Sequence, residues 1–282
     1  MSNVSGEEML SSSGARAGTP VADDPSLQPL LVFAAIAVTT GCLLLGASVA
    51  LDLPSEPFAL ATLIVGMLLP ALVITARRAG GTGVRALLRD AVRLPRPLWW
   101  GLFAALAVPA LAWTAASVAG GAQPLTSSLL IGFAVQLVTG AIIINIWEEM
   151  VLTGFVQRRS MARWGVVGGS LATAAVFVGI HLPLAFDGAA DAGDVALGLS
   201  ALVAVGVGLR FLIAGVDAWS GRSLLTVGVL HASFNATADL LQADYDWVRY
   251  VVTVLLGLAA LAVLLSRSVG RRQPGQRLGA AG

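Results

Sequence analysis

Long apolar runs are the feature that most constrains how this chain folds. A helix needs about 20 apolar residues to cross the hydrocarbon core of a bilayer, which is roughly 30 Å thick. Windows of that length predict about eight transmembrane helices, near residues 30–50, 57–76, 98–119, 126–147, 165–186, 195–214, 223–241 and 247–266. We therefore predict an all-α, polytopic integral membrane protein.

The composition agrees with a chain whose solvent is lipid. Of the 282 residues, 57% are hydrophobic and 12% are charged, whereas soluble domains carry about 25% charged residues. No stretch between the apolar runs is long enough for a separate soluble domain. The single cysteine, Cys42, excludes a disulfide within the chain and a cysteine-based metal site.

The arginines predict the orientation of the helices, because cytoplasmic loops collect basic residues and translocated loops avoid them. If both termini are cytoplasmic, every arginine except Arg249 falls on the inner side, with Arg210 and Arg222 near the sixth loop. Acidic residues such as Asp187 and Asp194 occupy the predicted outer loops. We therefore predict cytoplasmic N- and C-termini.

A basic segment at residues 77–97 follows the second apolar run. It is partly amphipathic, with Leu87, Leu88, Ala91 and Leu94 at helical spacing. The segment can be an interfacial helix that touches anionic headgroups, or an ordinary cytoplasmic loop. The pattern favours the ordinary loop.

A few polar side chains interrupt the apolar runs of the C-terminal half. An ionisable side chain inside hydrocarbon costs at least about 2.5 kcal/mol, so one that persists usually faces a cavity and has a function. Both histidines of the chain, His181 and His231, lie inside predicted spans, and Glu148 and Glu149 end the fourth apolar run. Three helices can therefore form one polar pocket. We expect this pocket to open to the cytoplasm or sideways to lipid, because the glutamates lie at the inner end of their helix.

Helical spacing adds one further candidate site residue on the same helix face as each histidine. Phe177 precedes His181 by four residues and Asn235 follows His231 by four, so each pair shares one helix face. With the two glutamates, these residues offer a base that activates water, candidate metal ligands and donors for a developing oxyanion.

Each of these residues also has a purely structural interpretation. The two glutamates can begin a cytoplasmic loop, and an intramembrane histidine is often a hydrogen-bonding group between helices. Asn145 and Asn235 can hold helices together, and Phe177 is more readily a pocket wall than a reacting group. The coincidence of the polar residues on three helices of one half favours the functional interpretation.

The motifs EE, FxxxH and HxxxN occur in this order as Glu148-Glu149, Phe177–His181 and His231–Asn235. This order resembles the CPBP intramembrane proteases, a family named for CAAX proteases and bacteriocin-processing enzymes. The family includes type II CAAX prenyl endopeptidases, Abi-like proteins and proteins similar to lysostaphin resistance protein A. The resemblance covers roughly residues 125–242, and the context WEEMVLTGFVQRR adds to it.

The resemblance implies that water activated by Glu148, the general base, hydrolyses a peptide bond inside the membrane. Glu149 would support Glu148, and His181 would help to hold the water. His231 and Asn235 would orient the substrate carbonyl and stabilise the oxyanion.

The resemblance leaves the role of a metal open, because such enzymes have been described both as metalloendopeptidases and as glutamic proteases. If a divalent metal such as zinc is used as a cofactor, the candidate ligands are His181, His231 and Glu148. The chain contains no HExxH zinc motif, so these ligands would come from separate helices.

One position departs from the family pattern, which usually reads EExxxR. Thr153 stands at the place of the arginine. If that arginine pairs with a glutamate, a threonine cannot replace its charge, although Arg158 or Arg159 can approach from further along the helix. Glu149 would otherwise lack its partner.

The predicted organisation combines the apolar windows with the resemblance. It comprises a disordered cytoplasmic tail at 1–29, N-terminal transmembrane helices at 30–122 with the basic cytoplasmic loop 77–97, a CPBP-like protease domain at 123–242, a last transmembrane helix at 243–266 and a basic cytoplasmic tail at 267–282.

The sequence therefore favours an intramembrane endopeptidase that acts on a membrane-associated or prenyl/CAAX-like substrate. The alternative is a non-catalytic bacteriocin-immunity or scaffold protein that binds peptides in the same pocket, and a proton-coupled transporter is a third hypothesis. The expected partners are the lipid bilayer and a peptide or lipidated protein, without nucleic acid. The expected location is a multi-pass position in the cell membrane, and the expected membrane is a bacterial plasma membrane.

Overall fold

A computed structural model describes residues 26–270, and within this range the chain is helical, with one isolated bridge between Ala122 and Leu241. The helices are α1 Leu27–Ala50, α2 Ser55–Ala91, α3 Trp99–Val118, α4 at 127–164, α5 at 166–186, α6 Ala192–Trp219, α7 Leu224–Ala236 and α8 Trp247–Gly270. The polytopic all-α fold predicted from the apolar windows is confirmed.

The two predicted tails lie largely outside the described residues. Within the described residues, α1 begins at Leu27 and α8 continues to Gly270, so both helices extend a few residues into the predicted tails. Pro29 does not prevent the early start of α1, since the first turn of a helix leaves backbone N–H groups without partners.

Within residues 26–270, six helical runs are long and apolar enough to cross a membrane. They are Leu27–Ala50, Ser55–Ala91, Trp99–Val118, Ser127–Phe186, Ala192–Trp219 and Ala243–Arg267. Large apolar side chains such as Leu43, Leu102, Ile131 and Leu255 are exposed on the outer faces of these helices. A surface of this kind is suited to lipid and not to water.

The length and composition of the helices in residues 26–270 give six candidate transmembrane spans rather than the predicted eight. The windows 126–147 and 165–186 both fall within the single run Ser127–Phe186. The window 223–241 coincides with α7, which has 13 residues and continues as a 3-10 helix at Thr237–Leu240. Both differences arise where the chain changes its helix geometry rather than its hydropathy.

The run Ser127–Phe186 is not one straight helix. Gly165 has φ 71° and ψ −179°, which separates α4 from α5. The Gln157 side chain donates a hydrogen bond of 3.3 Å to Ser170 Oγ, whereas 13 residues of straight helix would separate the two backbones by about 20 Å. The chain therefore folds back at Gly165, and α5 runs beside α4.

The predicted basic loop 77–97 is partly helical. After Gly80, which has φ 62°, the helix resumes and continues to Ala91. Leu87 and Ala91 are buried, whereas Leu88 and Leu94 are 41% and 63% exposed. The expectation of an ordinary loop is therefore wrong for residues 81–91, because one face of this segment packs against the protein.

The two largest hydrophobic clusters in the described residues lie on either side of the polar residues. The first joins α1, α2, α4 and α5 around Phe33, Phe155 and Ile180. The second joins α3, α6, α7 and α8, with Leu209 and Leu230 at its centre. The polar residues identified from the sequence lie where these two clusters meet.

Candidate active site

Four helices contribute side chains to one polar site. The residues are Glu148 and Glu149 on α4, Phe177 and His181 on α5, Arg210 on α6, and His231 and Asn235 on α7. On α4, wide π-type turns at Ala141–Asn145 and Met150–Gln157 flank the two glutamates. Such turns are frequent at functional sites.

Glu149 is the organising group of the site. It is completely buried and accepts four hydrogen bonds, from Thr153, from both terminal nitrogens of Arg210 and from His231. Oε2 receives Thr153 Oγ1 at 2.6 Å and Arg210 Nη1 at 2.9 Å. Oε1 receives Arg210 Nη2 at 2.5 Å and His231 Nδ1 at 2.8 Å. Both carboxylate oxygens are thus held in fixed positions.

Arg210 is the residue that the sequence analysis missed. It was expected near a cytoplasmic loop, but its side chain is completely buried and faces Glu149. The predicted span ended at residue 214, whereas α6 continues to Trp219, so Arg210 lies about 13 Å inside the helix end. An arginine within the run VGLRFLIAGV was the available signal.

Two residues together supply what the family arginine would supply to Glu149. Thr153 supplies a hydroxyl to Glu149, and Arg210 supplies the charge from another helix. Arg158 instead binds Asp217 at 2.7 Å. The Arg159 guanidinium lies over the Phe155 ring. The expectation that Arg158 or Arg159 approaches Glu149 is therefore wrong, because both side chains have partners elsewhere.

Glu148 has very different surroundings from its neighbour. Its Oε1 lies 3.9 Å from His181 Nε2, and its Oε2 lies 3.7 Å from His231 Nδ1. Both distances exceed that of a hydrogen bond, and among residues 26–270 nothing donates a hydrogen bond to this carboxylate. The side chain keeps 7% exposure. Glu148 therefore has lone pairs available to a water molecule.

The two histidines carry their protons on the same ring nitrogen. His181 Nδ1 lies 2.9 Å from the Phe177 carbonyl oxygen, and His231 Nδ1 lies 2.8 Å from Glu149 Oε1. Carbonyl and carboxylate oxygens only accept, so Nδ1 is the donor in each case. In the neutral state, each Nε2 therefore presents a lone pair.

A close helix crossing brings His231 to the glutamates. A Cβ atom on Gly228 would lie 2.6 Å from the Ile146 Cα atom, so a larger residue would push α7 away from α4. Gly228 lies one turn before His231, and Ile146 lies one turn before Glu149. The glycine therefore sets the short distance across the two helices.

Asn235 lies in a groove beside this cluster. It is exposed and shares with Phe177 the wall of a cavity of about 530 Å³. The cavity is bounded by Leu197 and Ala201 of α6. Most side chains in this first half of α6 are exposed or only partly buried. The groove also reaches Arg249, Asp187 and Asp194, all of which the arginine distribution assigns to the outer side.

The structure brings Glu148, Glu149, His181 and His231 together, with Phe177 against both imidazoles at ring distances of 4.4 and 6.0 Å. The expected metal ligands do not fit a metal site as they are arranged. No cluster of three His, Cys, Asp or Glu side chains suited to a metal occurs in the described part of the chain. The His231 nitrogen nearest to Glu148 is Nδ1, and this atom already hydrogen-bonds to Glu149.

The comparison with protein families agrees with this site. Residues 130–237 match the family model described as type II CAAX prenyl endopeptidase Rce1-like. The matched segment contains all the site residues on α4, α5, α6 and α7. No curated protein matches the chain. The family model confirms the resemblance to the CPBP/CAAX proteases.

Proposed function

We propose that this chain is an intramembrane endopeptidase in which Glu148 activates water, because residues 130–237 match the type II CAAX prenyl endopeptidase Rce1-like family model. The unequal surroundings of the two glutamates carry the proposal. Glu149 accepts four hydrogen bonds, whereas the nearest basic groups stay 3.7 and 3.9 Å from Glu148. A general base needs a free lone pair beside the attacking water, and Glu148 has one.

The attacking water binds between Glu148 and His181. The 3.9 Å between Glu148 Oε1 and His181 Nε2 is short enough for one water to hydrogen-bond to both atoms. Glu148 takes one proton as the water oxygen bonds to the substrate carbonyl carbon. His181 Nε2 accepts a hydrogen bond from the other hydrogen and orients the water.

The oxyanion forms on the side of α7. The Asn235 amide donates to it from the groove, and His231 donates through Nε2 when its ring is protonated. Glu149 lies at Nδ1 of that ring and balances the added charge. When the carbon–nitrogen bond breaks, protonated Glu148 returns its proton to the leaving amine. The products are a carboxylic acid and an amine.

The groove supports a membrane-associated substrate. Its lining is mainly apolar, with Leu197, Leu202 and Val205 of α6 along one side. Such a wall suits an apolar segment or a prenyl-type chain that approaches from the bilayer, as CAAX-like substrates would. The scissile bond then lies at Asn235, where the groove meets the site.

The membrane placement is part of the proposal. The arginine distribution supports cytoplasmic termini, and the reversal at Gly165 together with α7 supports eight crossings. A bacterial plasma membrane is the proposed location.

The test is cleavage of membrane-tethered reporter peptides, prenylated and unmodified, by the purified chain in lipid. We expect the wild type to cleave a reporter, Glu148→Ala and His231→Ala to abolish cleavage, and Glu56→Gln, an exposed glutamate on α2, to leave it unchanged. A chelator arm tests zinc or another divalent metal. Cleavage that survives Glu148→Ala would contradict the proposal, and a folded wild type that cleaves no reporter would favour a peptide-binding protein.

A further inference from the structure

We infer that Arg210 is the positioning residue of this site: through Glu149, Arg210 fixes the tautomer of His231 and keeps Glu148 free of a hydrogen-bond partner. This inference rests on the proposed function only for its kinetic part. The hydrogen bonds that carry it join three helices, and Arg210 itself lies on α6, outside the EE, FxxxH and HxxxN motifs.

The first step is the charge on Glu149. A carboxylate with no exposed surface needs a cation close by, because an uncompensated buried charge is strongly destabilising. Arg210 meets this need with two hydrogen bonds, one to each carboxylate oxygen. Neither side chain has any exposed surface. The two-point contact fixes the plane of the carboxylate as well as its position.

The second step is a competition for His231. Its Nδ1 lies 2.8 Å from Glu149 Oε1 and 3.7 Å from Glu148 Oε2. A small rotation of Glu149 would let this N–H group turn to Glu148 instead. Because Arg210 holds Glu149, His231 stays bound to Glu149. The lone pairs of Glu148 then remain available to water.

The third step is the anchoring of Arg210 itself. Its backbone carbonyl accepts a hydrogen bond of 2.9 Å from the Gln157 side chain, and its guanidinium lies 5.4 Å from the centre of the Phe177 ring. The Phe177 carbonyl in turn holds His181 Nδ1. Arg210 thus contacts Glu149, which binds His231, and Phe177, which binds His181. Its loss should therefore change the hydrogen bonds of the two histidines more than the packing of the outer helices.

Thr153 is the remaining hydrogen-bond donor to Glu149, and its position allows a test in which the arginine is moved from position 210 to position 153. It lies one turn after Glu149 and donates to the oxygen that Arg210 Nη1 also binds. A cavity of about 260 Å³ borders Thr153, together with Gln157 and Met161. An arginine at position 153 therefore has room, and it can approach Glu149 from α4 in place of Arg210.

The experiment uses the fact that the chain has two histidines. Selective 15N-histidine labelling of the full chain in lipid nanodiscs gives two imidazole spin systems, which His181→Gln assigns. The variants are Arg210→Met, Arg210→Lys and the exchange variant Thr153→Arg/Arg210→Met. Arg159→Met is the matched control, because Arg159 is another buried arginine and lies over Phe155 instead of Glu149.

We expect the wild type and Arg159→Met to show His231 protonated at Nδ1. Arg210→Met should give a mixture of tautomers, and the exchange variant should restore the wild-type signal. In cleavage assays, Arg210→Met should lower kcat at least ~100-fold with KM nearly unchanged, because loss of a group that orients a catalytic histidine costs up to about 10⁴-fold in kcat. The exchange variant should recover most of this loss.

A wild-type tautomer and wild-type kcat in Arg210→Met would overturn the inference. If Arg210→Met does not fold, Arg210→Lys and the exchange variant provide the test. The inference is contradicted if Arg210→Lys shows the wild-type His231 tautomer and a folded exchange variant does not restore the wild-type kcat. If the wild type cleaves no reporter but the tautomers shift as expected, the proposed function fails and the positioning by Arg210 stands.

Discussion

Glu149 and Arg210 stand 61 positions apart in the sequence and meet as a two-point ion pair with no exposed surface on either side chain. The pair joins α4, which belongs to the first hydrophobic cluster, to α6, which belongs to the second. It therefore fixes the relative position of the two halves at the level of the site. One contact serves both the packing of the helices and the arrangement of the catalytic groups.

The ion pair predicts a large effect on stability. Glu149→Gln leaves the Arg210 charge buried without its partner, and breaking such a pair costs about 3–5 kcal/mol. We expect a clear fall in the Tm of the chain in nanodiscs. The control is Glu148→Gln, which removes no hydrogen bond and should keep the wild-type Tm. Equal Tm values for the two variants would contradict the assigned roles.

Asn235 is expected to act on the transition state. Asn235→Ala should lower kcat by about 10²- to 10³-fold, as loss of an oxyanion donor does, and should leave the Tm almost unchanged because the side chain is exposed. Asn145, which is buried one turn before the glutamates, gives the matched control. Asn145→Ala should keep kcat within a few-fold of the wild type, and a similar kcat for both variants would show that Asn235 is not a donor.

The groove predicts an effect on substrate binding alone. Leu197 is 72% exposed and lines the groove, so Leu197→Trp should narrow it without disturbing the core. We expect KM to rise about tenfold, which corresponds to ~1.4 kcal/mol, with kcat nearly unchanged. Leu255→Trp places the same bulk on an exposed leucine of α8, away from the groove, and should have no effect. Equal KM values would mean that substrate does not use this groove.

A second buried polar group is expected to be structural. Arg158 binds Asp217 at 2.7 Å and Asp90 at 2.9 Å, and it thereby ties α4 to α6 and to the end of α2. Arg158→Met should lower the Tm, since it leaves Asp217 without its partner. The folded fraction should keep wild-type kcat, because the hydrogen bonds of Arg158 within residues 26–270 go to Asp217, Asp90 and Arg222 and not to a site residue. A specific loss of kcat at constant Tm would assign Arg158 to the site instead.

The sequence predicts the helices well because hydropathy depends on local composition. It predicts their number less well, since the reversal at Gly165 occurs within a continuous helical run and α7 has only 13 residues. Neither feature changes the average hydropathy of a window. The helix at residues 81–91 was underestimated for a related reason, because its buried face shows only when its packing partners are known.

The site residues could be found from their spacing, but their roles could not. Glu148 and Glu149 are adjacent and chemically alike, and the difference between them arises from Arg210 and Thr153. The sequence of α4 alone predicts the loss of a charge at Thr153. The charge comes from α6, and its position there depends on where that helix ends.

The most direct test of the central claim is a comparison of Glu148→Gln with the wild type for both folding and cleavage in the same nanodisc preparation. Glutamine keeps the size of the side chain and removes the base. We expect an unchanged Tm and an unchanged His231 tautomer together with a fall in cleavage of at least ~10³-fold, within the range of general base catalysis. Cleavage within tenfold of the wild type by a folded Glu148→Gln variant would contradict the assignment of Glu148 as the residue that activates water.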